Sequence, residues 1–449
     1  MNEPHTKLLA GAAEIIITPA LDGPLNVVRP STGVHDDLFA RALVISDTLK
    51  KTAIVSLDLA GVGFAFTDEL REQIKQRTGI DTALVNCTHT HSAPFTMPYS
   101  VTNWHWLMKE GRPWYDALLA NITEVVCWAN AELSEATIRI GREPVQIGLN
   151  RRADLQKQSD DEKLSLDDGV IPWVDVLRID GMDGNPIAIL FSHAAHPVTV
   201  HHASNLIGAD YPGYAVETVK RHFGGKTIAM FAQACGGDIN AQPLSSGFEA
   251  ASSAGAKLGT AVIKAACESR PLEVSKLITI SSTFEIPLND FTKEEECRKR
   301  LAEIETYMNS PDAKSATAED IGWNSDAMLC IRDLLDKIKR NEKPSLRFET
   351  NALALNDQWC LLAMSHEMLS EYQRWIEKIS PFQLTMVLGY TNACESYIPA
   401  DSDIAAGGPE AALWGAPLWY HHRVAPKIGM EKIIKEKVAA LLSDIKNKF

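Results

Sequence analysis

The chain has 449 residues, of which 45% are hydrophobic and 23% are charged, so it is long enough to bury one large core or two medium ones. Its formal net charge is -14 at pH 7, and Lys and Arg are interspersed with Asp and Glu instead of forming a stripe. This charge pattern argues against nucleic acid as a partner and against attraction to an anionic surface.

The sequence shows no secretory signal and no membrane span. Its first residues, MNEPHTKLLAGAAEIIITPA, lack a basic start with an uninterrupted apolar stretch, and no later run approaches the ~20 apolar residues of a spanning helix. The eight cysteines are scattered without a CxxC pair, which favours buried thiols over a disulfide framework. We therefore expect a cytoplasmic protein with no membrane insertion.

The first predicted elements form a β-β-α-β pattern. Two apolar runs, from Leu43 to Asp47 and from Thr52 to Asp58, flank a short polar segment and predict a hairpin. Helical spacing follows from Phe66 to Gln76, and the run from Ala83 to Cys87 predicts a short buried strand. This last strand leads directly into the segment THTH.

The remaining chain mixes predicted strands and helices. Strands are predicted at Ala136 to Ile140, Val174 to Ile179, Ala188 to Phe191, Thr227 to Ala232, Leu346 to Leu355, Trp359 to Met364 and Leu384 to Gly389. Helices are predicted at Trp114 to Ala131, at Tyr214 to His222 and from about Pro426 onward. The pattern predicts an α/β fold with mixed β-sheets flanked by helices, in a single catalytic domain over residues 1–449.

Two polar segments interrupt this pattern. The turn-rich residues between Asn150 and Val170 predict an exposed loop. The residues from about Thr292 to Glu342 (292–342) predict two charged amphipathic helices, which we interpret as a helical hairpin inserted into the domain.

The segment THTH places His89 and His91 two residues apart after a predicted strand. Because side chains alternate along a strand, both imidazoles are expected on the same side. Imidazole is the commonest zinc ligand, although an isolated HxH pattern is more often a pair of ordinary histidines.

A second cluster strengthens the metal hypothesis. His193, His196, His201 and His202 follow another predicted strand, so six of the thirteen histidines fall in two clusters at strand ends. A catalytic zinc ion typically takes three or four protein ligands from separate segments and keeps a position for water. The two clusters therefore predict a zinc site completed by a carboxylate or another hard donor.

Several segments, taken together and in order, resemble the catalytic domain of the neutral/alkaline non-lysosomal ceramidases. These segments are GAAEIIITPA, GVHDDLFARALVI, SLDLAG, NCTHTHSAP, NRR, HAAHPVTV with GADYPGYA, FAQACGGDIN and GYTNACESYIP. They are spread over nearly the whole chain. The family's C-terminal β-rich domain and secretory signal are not found in the sequence, so we expect a small polar substrate other than ceramide.

The resemblance implies four zinc ligands: His89, His196, Glu367 in AMSHEM and Tyr397 in NACESY. Glu367 has an alternative interpretation as an acid at the start of the following helix. Tyr397 has an alternative as a packed aromatic residue beside Pro399.

The resemblance also implies roles for two residues that are not ligands. His91 would handle a proton, for which an imidazole with a reference pKa of about 6.5 is suited. Arg151 matches the family's active-site arginine and would stabilise a carbonyl or a developing oxyanion, with a solvated loop arginine as the equal alternative.

The sequence departs from the family pattern at two positions. Asn240, in GDINAQ, stands where the family carries a serine, and Pro409, in GGPE, stands where it carries a tyrosine. An asparagine can donate a hydrogen bond to an oxyanion but cannot act as a nucleophile, so we expect attack by a water that zinc activates.

An aromatic loop is predicted after His91, where it is expected to wall a substrate pocket or cover it as a lid, with core packing or a subunit contact as the alternative. The sequence therefore leaves open whether the chain forms a homo-oligomer. The aromatic residues of this segment are Phe95, Tyr99, Trp104, Trp106, Trp114 and Tyr115.

Three functional hypotheses follow. The first is a zinc-dependent hydrolase of an amide or similar acyl bond. The second is a binuclear amidohydrolase in which His89 and His91 both bind metal, although the chain lacks the regular eight-fold strand and helix alternation of that fold. The third is a metal-containing protein that binds a ligand without catalysis, since the family's serine and tyrosine are both replaced.

Overall fold

The computed structural model describes residues 7–19, 29–152, 169–224 and 226–449. Most of the loop predicted between Asn150 and Val170 lies outside the described residues.

A large mixed sheet organises the first 280 residues or so, and within the described ranges it contains nine strands. Its two parallel pairs lie at opposite edges of the sheet, and the other pairs are antiparallel. In spatial order the strands are Ile228–Gln233, Pro186–His193, Trp173–Gly181, Ser134–Pro144, Leu9–Ile16, Phe39–Ser46, Lys51–Leu57 and Thr82–Cys87, with Arg270–Leu272 also paired to Ser134–Pro144. The predicted α/β class with mixed sheets is confirmed.

A second, smaller sheet packs against the first. Its strands are Ile278–Ile286, Leu346–Ala354, Trp359–Met364 and Leu384–Leu388. One continuous core joins the two sheets: Leu43 and Leu190 of the large sheet and Leu361 of the small one belong to the same buried cluster. Apolar faces of both sheets are thereby removed from water together, which is the main stabilising term of such a layer.

Helices cover the outer faces of both sheets. The core over the large sheet includes Phe64–Thr78 and Arg112–Ala131 at one end and Asp210–Phe223 and Phe248–Cys267 at the other. The C-terminal helix packs on the small sheet. The other described α-helices are Val101–Met108, Glu294–Met308, Pro311–Ser315, Ala318–Lys339, Ser370–Ile379, Asp401–Ala406 and Met430–Lys446, with short 3-10 turns at His201–Ala203 and Ala416–Leu418.

The segment 292–342 forms two long helices, Glu294–Met308 and Ala318–Lys339, that pack on each other through a small apolar cluster. The second helix begins with a capping box between Thr317 and Asp320. Asp326 of this helix accepts a hydrogen bond of 2.8 Å from the backbone N–H of Thr102. The interpretation of the segment as an insertion stays a prediction.

Short two-stranded sheets join the loops at the ends of the main strands. Among them, Ile239–Ala241 pairs with Gly148–Asn150, and Glu367–Met368 pairs in parallel with Tyr397–Ile398. None of the helices in the described part of the chain combines the length and apolar character that a membrane crossing requires.

Candidate metal centre

Four potential ligands converge where strands of both sheets end. His89 follows the strand Thr82–Cys87, and His196 follows Pro186–His193. Glu367 follows Trp359–Met364 of the small sheet, and Tyr397 lies beside it because the two residues pair directly in a short parallel sheet. The ends of strands from two sheets thus meet at one place, as is common for sites in α/β folds.

His89 does not lie on a strand, which corrects the reason given for the HxH pattern. The strand ends at Cys87, and His89 has a φ of 66°, in the left-handed region. Its backbone N–H donates to the carbonyl of Leu59 at 2.9 Å, and its Nδ1 donates to the carbonyl of Ala60. A turn, and not strand alternation, brings His89 and His91 together.

The hydrogen bonds of the two histidines define their tautomers. Nδ1 of His196 lies 2.7 Å from the carbonyl oxygen of Gly236, just as Nδ1 of His89 faces a carbonyl oxygen. Burial lowers the pKa of His196 to about 4, so it is neutral at pH 7 and carries its one proton on Nδ1. Nε2 of His196 therefore presents a lone pair, as a metal ligand requires, and Nε2 of His89 is likewise the ring nitrogen that does not face the carbonyl.

Glu367 places a carboxylate oxygen between these two Nε2 atoms. Its Oε2 lies 3.2 Å from Nε2 of His89 and 3.1 Å from Nε2 of His196, and the residue is only 2% exposed. A carboxylate oxygen this close to two imidazole nitrogens is stabilised by a cation placed among them.

The spacing of the donor atoms fits a small divalent ion. The Tyr397 hydroxyl lies 3.3 Å from Nε2 of His196 and adds an oxygen to the two nitrogens and the carboxylate. Tetrahedral bonds of about 2.0–2.2 Å separate ligand atoms by roughly 3.3–3.6 Å, close to the separations found here. The donor set and its spacing thus suit zinc.

Two other groupings of potential ligand atoms share His89. His91 forms one with His89 and His196, and Cys394 forms another with His89 and Glu367; the ligand atoms of each group lie within 4.8 Å of one another. Nε2 of His91 is 3.2 Å from Nε2 of His89. Burial and the neighbouring imidazoles lower the pKa of His91 well below its usual value, so it is neutral.

The remaining histidines of the second cluster lie apart from these ligand atoms. His193 contacts the carbonyl of Trp173 at 2.8 Å through Nδ1. His201 faces His91, with ring centroids 5.0 Å apart, and His202 pairs with Glu319 at 2.7 Å. Of the four histidines, only His196 shares a group of potential ligand atoms with His89 among the described residues.

Arg151 lies beside the four-residue cluster. Its guanidinium carbon is 5.3 Å from the centre of the Tyr397 ring, and its Nε donates to Glu410 at 2.9 Å. Its backbone N–H donates to the carbonyl of Asp238, next to the strand that carries Asn240. The backbone of Asn240 also bridges to His196, so a single short sheet connects these residues.

Glu410, which the sequence did not indicate, fixes Arg151. It is 1% exposed and also accepts a hydrogen bond of 2.7 Å from Arg152, whose other nitrogen contacts Asp403 at 2.6 Å. Burial would raise the pKa of Glu410, but the two arginines lower it below its usual value. The carboxylate therefore remains charged and holds both guanidinium groups.

Replacing Glu410 with glutamine is expected to destabilise the protein by about 3 kcal/mol, because it leaves buried guanidinium charge without its partner. Chemical denaturation of the metal-free protein measures this change. The control is Glu303→Gln, which removes an exposed pair with Arg300 and is expected to cost under about 1 kcal/mol. Equal effects of the two substitutions would contradict the assignment.

The aromatic segment divides between core and site. Residues Val101–Met108 form a helix instead of the expected loop, capped by the Ser100 side chain, and Trp104, Trp106 and Trp114 pack against the core of the large sheet. Tyr99 instead packs edge-on against Tyr420, with ring centroids 5.2 Å apart. Core packing therefore accounts for the tryptophans, and only the beginning of the segment approaches the cluster.

Fold and cluster together define a class: an α/β protein with a candidate mononuclear metal centre at the ends of its strands. The family profile for the N-terminal domain of neutral/alkaline non-lysosomal ceramidase matches residues 20–276. The chain belongs to the neutral/alkaline non-lysosomal ceramidase family, which confirms the resemblance found in the sequence.

Individual relatives agree. Neutral ceramidase of Drosophila pseudoobscura pseudoobscura is 22% identical over 255 residues, 52% of this chain and 36% of that protein. Neutral ceramidase B of Dictyostelium discoideum is 25% identical over 247 residues, 49% of this chain and 33% of that protein. The match thus spans about a third of the length of these relatives.

The fold agrees over almost the whole chain. The crystal structure of neutral ceramidase from Pseudomonas aeruginosa superposes with a TM-score of 0.75 at 17% sequence identity, covering 99% of this chain and 75% of that chain. These comparisons give no support to the expectation of a substrate other than ceramide.

Proposed function

We propose that the protein is a metal-dependent hydrolase that cleaves an amide bond, with one zinc ion held by His89, His196, Glu367 and Tyr397. The observation that carries this proposal is the convergence of two imidazole Nε2 atoms on a buried carboxylate oxygen at 3.1–3.2 Å. Membership of the ceramidase family supports the amide as the bond cleaved.

An ion at this position would polarise the substrate carbonyl and lower the pKa of a bound water. The chain's own groups would orient the substrate and move the protons. His91 lies 3.2 Å from His89 and, being neutral, can accept a proton and return it to the leaving amine. Arg151 would donate hydrogen bonds to the carbonyl oxygen as negative charge develops on it.

Asn240 would supply a further donor through its side-chain amide. It lies in the strand Ile239–Ala241 and its backbone bridges to His196, so the rigid pairing of that strand limits its movement. The side-chain amide of Asn240 is not a nucleophile, so it cannot form a covalent acyl intermediate. We therefore propose that water is the nucleophile and that no acyl-enzyme accumulates.

The substrate class follows from the relatives, which are neutral ceramidases by name. We propose an N-acyl amide, with ceramide as the first compound to test and short N-acyl amines as the second. Cleavage of the short N-acyl amines without cleavage of ceramide would favour a small polar substrate.

The test is turnover of a fluorescent ceramide analogue and a series of N-acyl amides by the purified protein. We expect hydrolysis that a chelator abolishes and zinc restores, with the fatty acid and amine released together without a burst. Turnover that survives complete metal removal would contradict the proposal. Tight binding of one metal without turnover of any amide would favour the non-catalytic alternative.

A further inference from the structure

A phenol from the C-terminal part of the chain contacts the far side of the candidate ligand Glu367. The hydroxyl of Tyr420 donates a hydrogen bond to Oε1 of Glu367, while Oε2 of the same carboxylate faces His89 and His196. Tyr420 is 1% exposed. The Tyr420 hydroxyl therefore contacts one oxygen of this buried carboxylate, and the candidate metal position lies at the other.

The ring of Tyr420 is held on several sides. It packs edge-on against Tyr99 at 5.2 Å and against Tyr397 at 6.1 Å, measured between ring centroids. The imidazole of His422 stacks on it at 5.9 Å, with the planes only 13° apart. With so many neighbours the phenol has little freedom to leave the carboxylate.

The backbone around Tyr420 is fixed by a single arginine. Arg423 donates from one nitrogen to the carbonyls of Tyr420 and Tyr99, at 3.1 and 3.0 Å, and from Nε to Asp333 at 3.0 Å. Asp333 belongs to the helix Ala318–Lys339. The segment 292–342 is thereby connected, through Arg423, to the loop that carries Tyr420.

We propose that Tyr420 is a positioning residue for Glu367: its phenol occupies Oε1 and leaves Oε2 alone to bind the metal. The proposal rests on the metal site of the proposed function but not on turnover.

Removing this hydrogen bond would let the carboxylate rotate and present both oxygens. Partners that orient a ligand in this way typically contribute about 10–100-fold to metal affinity or activity. Tyr420→Phe is therefore expected to weaken zinc affinity by about 10–100-fold. It should also change the visible absorption of the cobalt-substituted protein, because the coordination of the ion changes.

The matched control is Tyr372→Phe. Tyr372 is also 1% exposed, and its hydroxyl donates to the carbonyl of Pro399 at 3.2 Å, so this substitution also removes one buried phenol hydrogen bond. Zinc affinity by chelator competition and the cobalt spectrum should match those of the parent protein. Melting of the metal-free proteins separates a general loss of stability from a change at the metal site.

Parental affinity and an unchanged cobalt spectrum in Tyr420→Phe would overturn the proposal, as would a parent protein that binds no metal. If Tyr420→Phe does not fold, Asp333→Asn replaces it, since this change loosens Arg423 from the outside. It is expected to weaken affinity in the same direction, and an unchanged affinity would again overturn the proposal. A parent protein that binds metal but cleaves no amide would instead remove the proposed function and leave this inference intact.

Discussion

Replacing His89 or His196 with alanine is expected to abolish tight metal binding and reduce amide hydrolysis by more than about 1,000-fold. Each substitution deletes one of the two imidazoles that face Glu367. Loss of a mere orienting partner typically costs about 10–100-fold in affinity, and loss of a direct ligand costs more. Zinc content measured on the purified variants should fall from about one per chain to near zero.

The control for both variants is His202→Ala. His202 belongs to the same sequence cluster as His196, but its side chain is 44% exposed and pairs with Glu319. We expect this variant to retain its zinc and its activity. A His89→Ala or His196→Ala protein with parental zinc content would show that these residues are not ligands.

Replacing Arg151 with alanine is expected to lower kcat by about 100–1,000-fold with little change in zinc content, the usual effect of losing one donor to an oxyanion. The structure supports this role because the guanidinium lies 5.3 Å from the Tyr397 ring and is held by buried Glu410. Steady-state kinetics combined with zinc analysis separates this loss from that of a ligand.

Arg152→Ala provides the comparison for Arg151. Arg152 shares Glu410 and pairs with Asp403, so its removal disturbs the same ion network. We expect lower stability but a kcat within about tenfold of the parent, since no oxyanion donor is lost. Equal kcat values for Arg151→Ala and the parent would refute the assignment and return Arg151 to a structural role.

Strands with long apolar runs could be predicted from the sequence because a strand that is buried on both faces consists mainly of apolar residues. The pair of strands around Thr48 and the strand before THTH are examples. The strand Leu9–Ile16 was missed because its alanines and glycine carry little apolar signal, although it lies within the large sheet. Its pairing with Ser134–Pro144 depends on contacts far apart in sequence.

The helices show the same limit. Phe248–Cys267 was missed because its small residues, FEAASSAGAKLG, weaken the helical pattern, while its buried face packs against the large sheet. The aromatic residues of Val101–Met108 predict a loop that covers a pocket, but the segment is a helix, and the sequence contains its cap in Ser100. The C-terminal helix begins at Met430, after Gly429, later than the predicted start at Pro426.

Part of the candidate site could be predicted from the sequence. The two histidine clusters include His89 and His196, but the family resemblance selected these two as ligands. Strand alternation was the wrong reason for the proximity of His89 and His91, because His89 adopts a left-handed conformation. Glu367 and Tyr397 came only from the family resemblance. Their adjacency depends on the short pairing of Glu367–Met368 with Tyr397–Ile398, which has no local sequence signal.

Other residues of the site could not be found from sequence. Glu410 directly follows Pro409, one of the two positions where the sequence departs from the family pattern. Nothing in the sequence indicates that Glu410 pairs with Arg151. Tyr420 sits in LWYHHR, where nothing distinguishes it from a packed aromatic residue. Its contact with Glu367 spans 53 positions and depends on the packing of Tyr420 against Tyr99 and Tyr397, which are also distant from it or from each other in sequence.

The most direct test of the account is a crystal structure of the zinc-loaded protein with anomalous diffraction measured at the zinc edge. We predict one peak, about 2.0–2.2 Å from His89 Nε2, His196 Nε2, Glu367 Oε2 and the Tyr397 hydroxyl. Two peaks, with His91 as a ligand, would favour the binuclear alternative. A single peak bound by Cys394, or located away from these residues, would contradict the proposed centre.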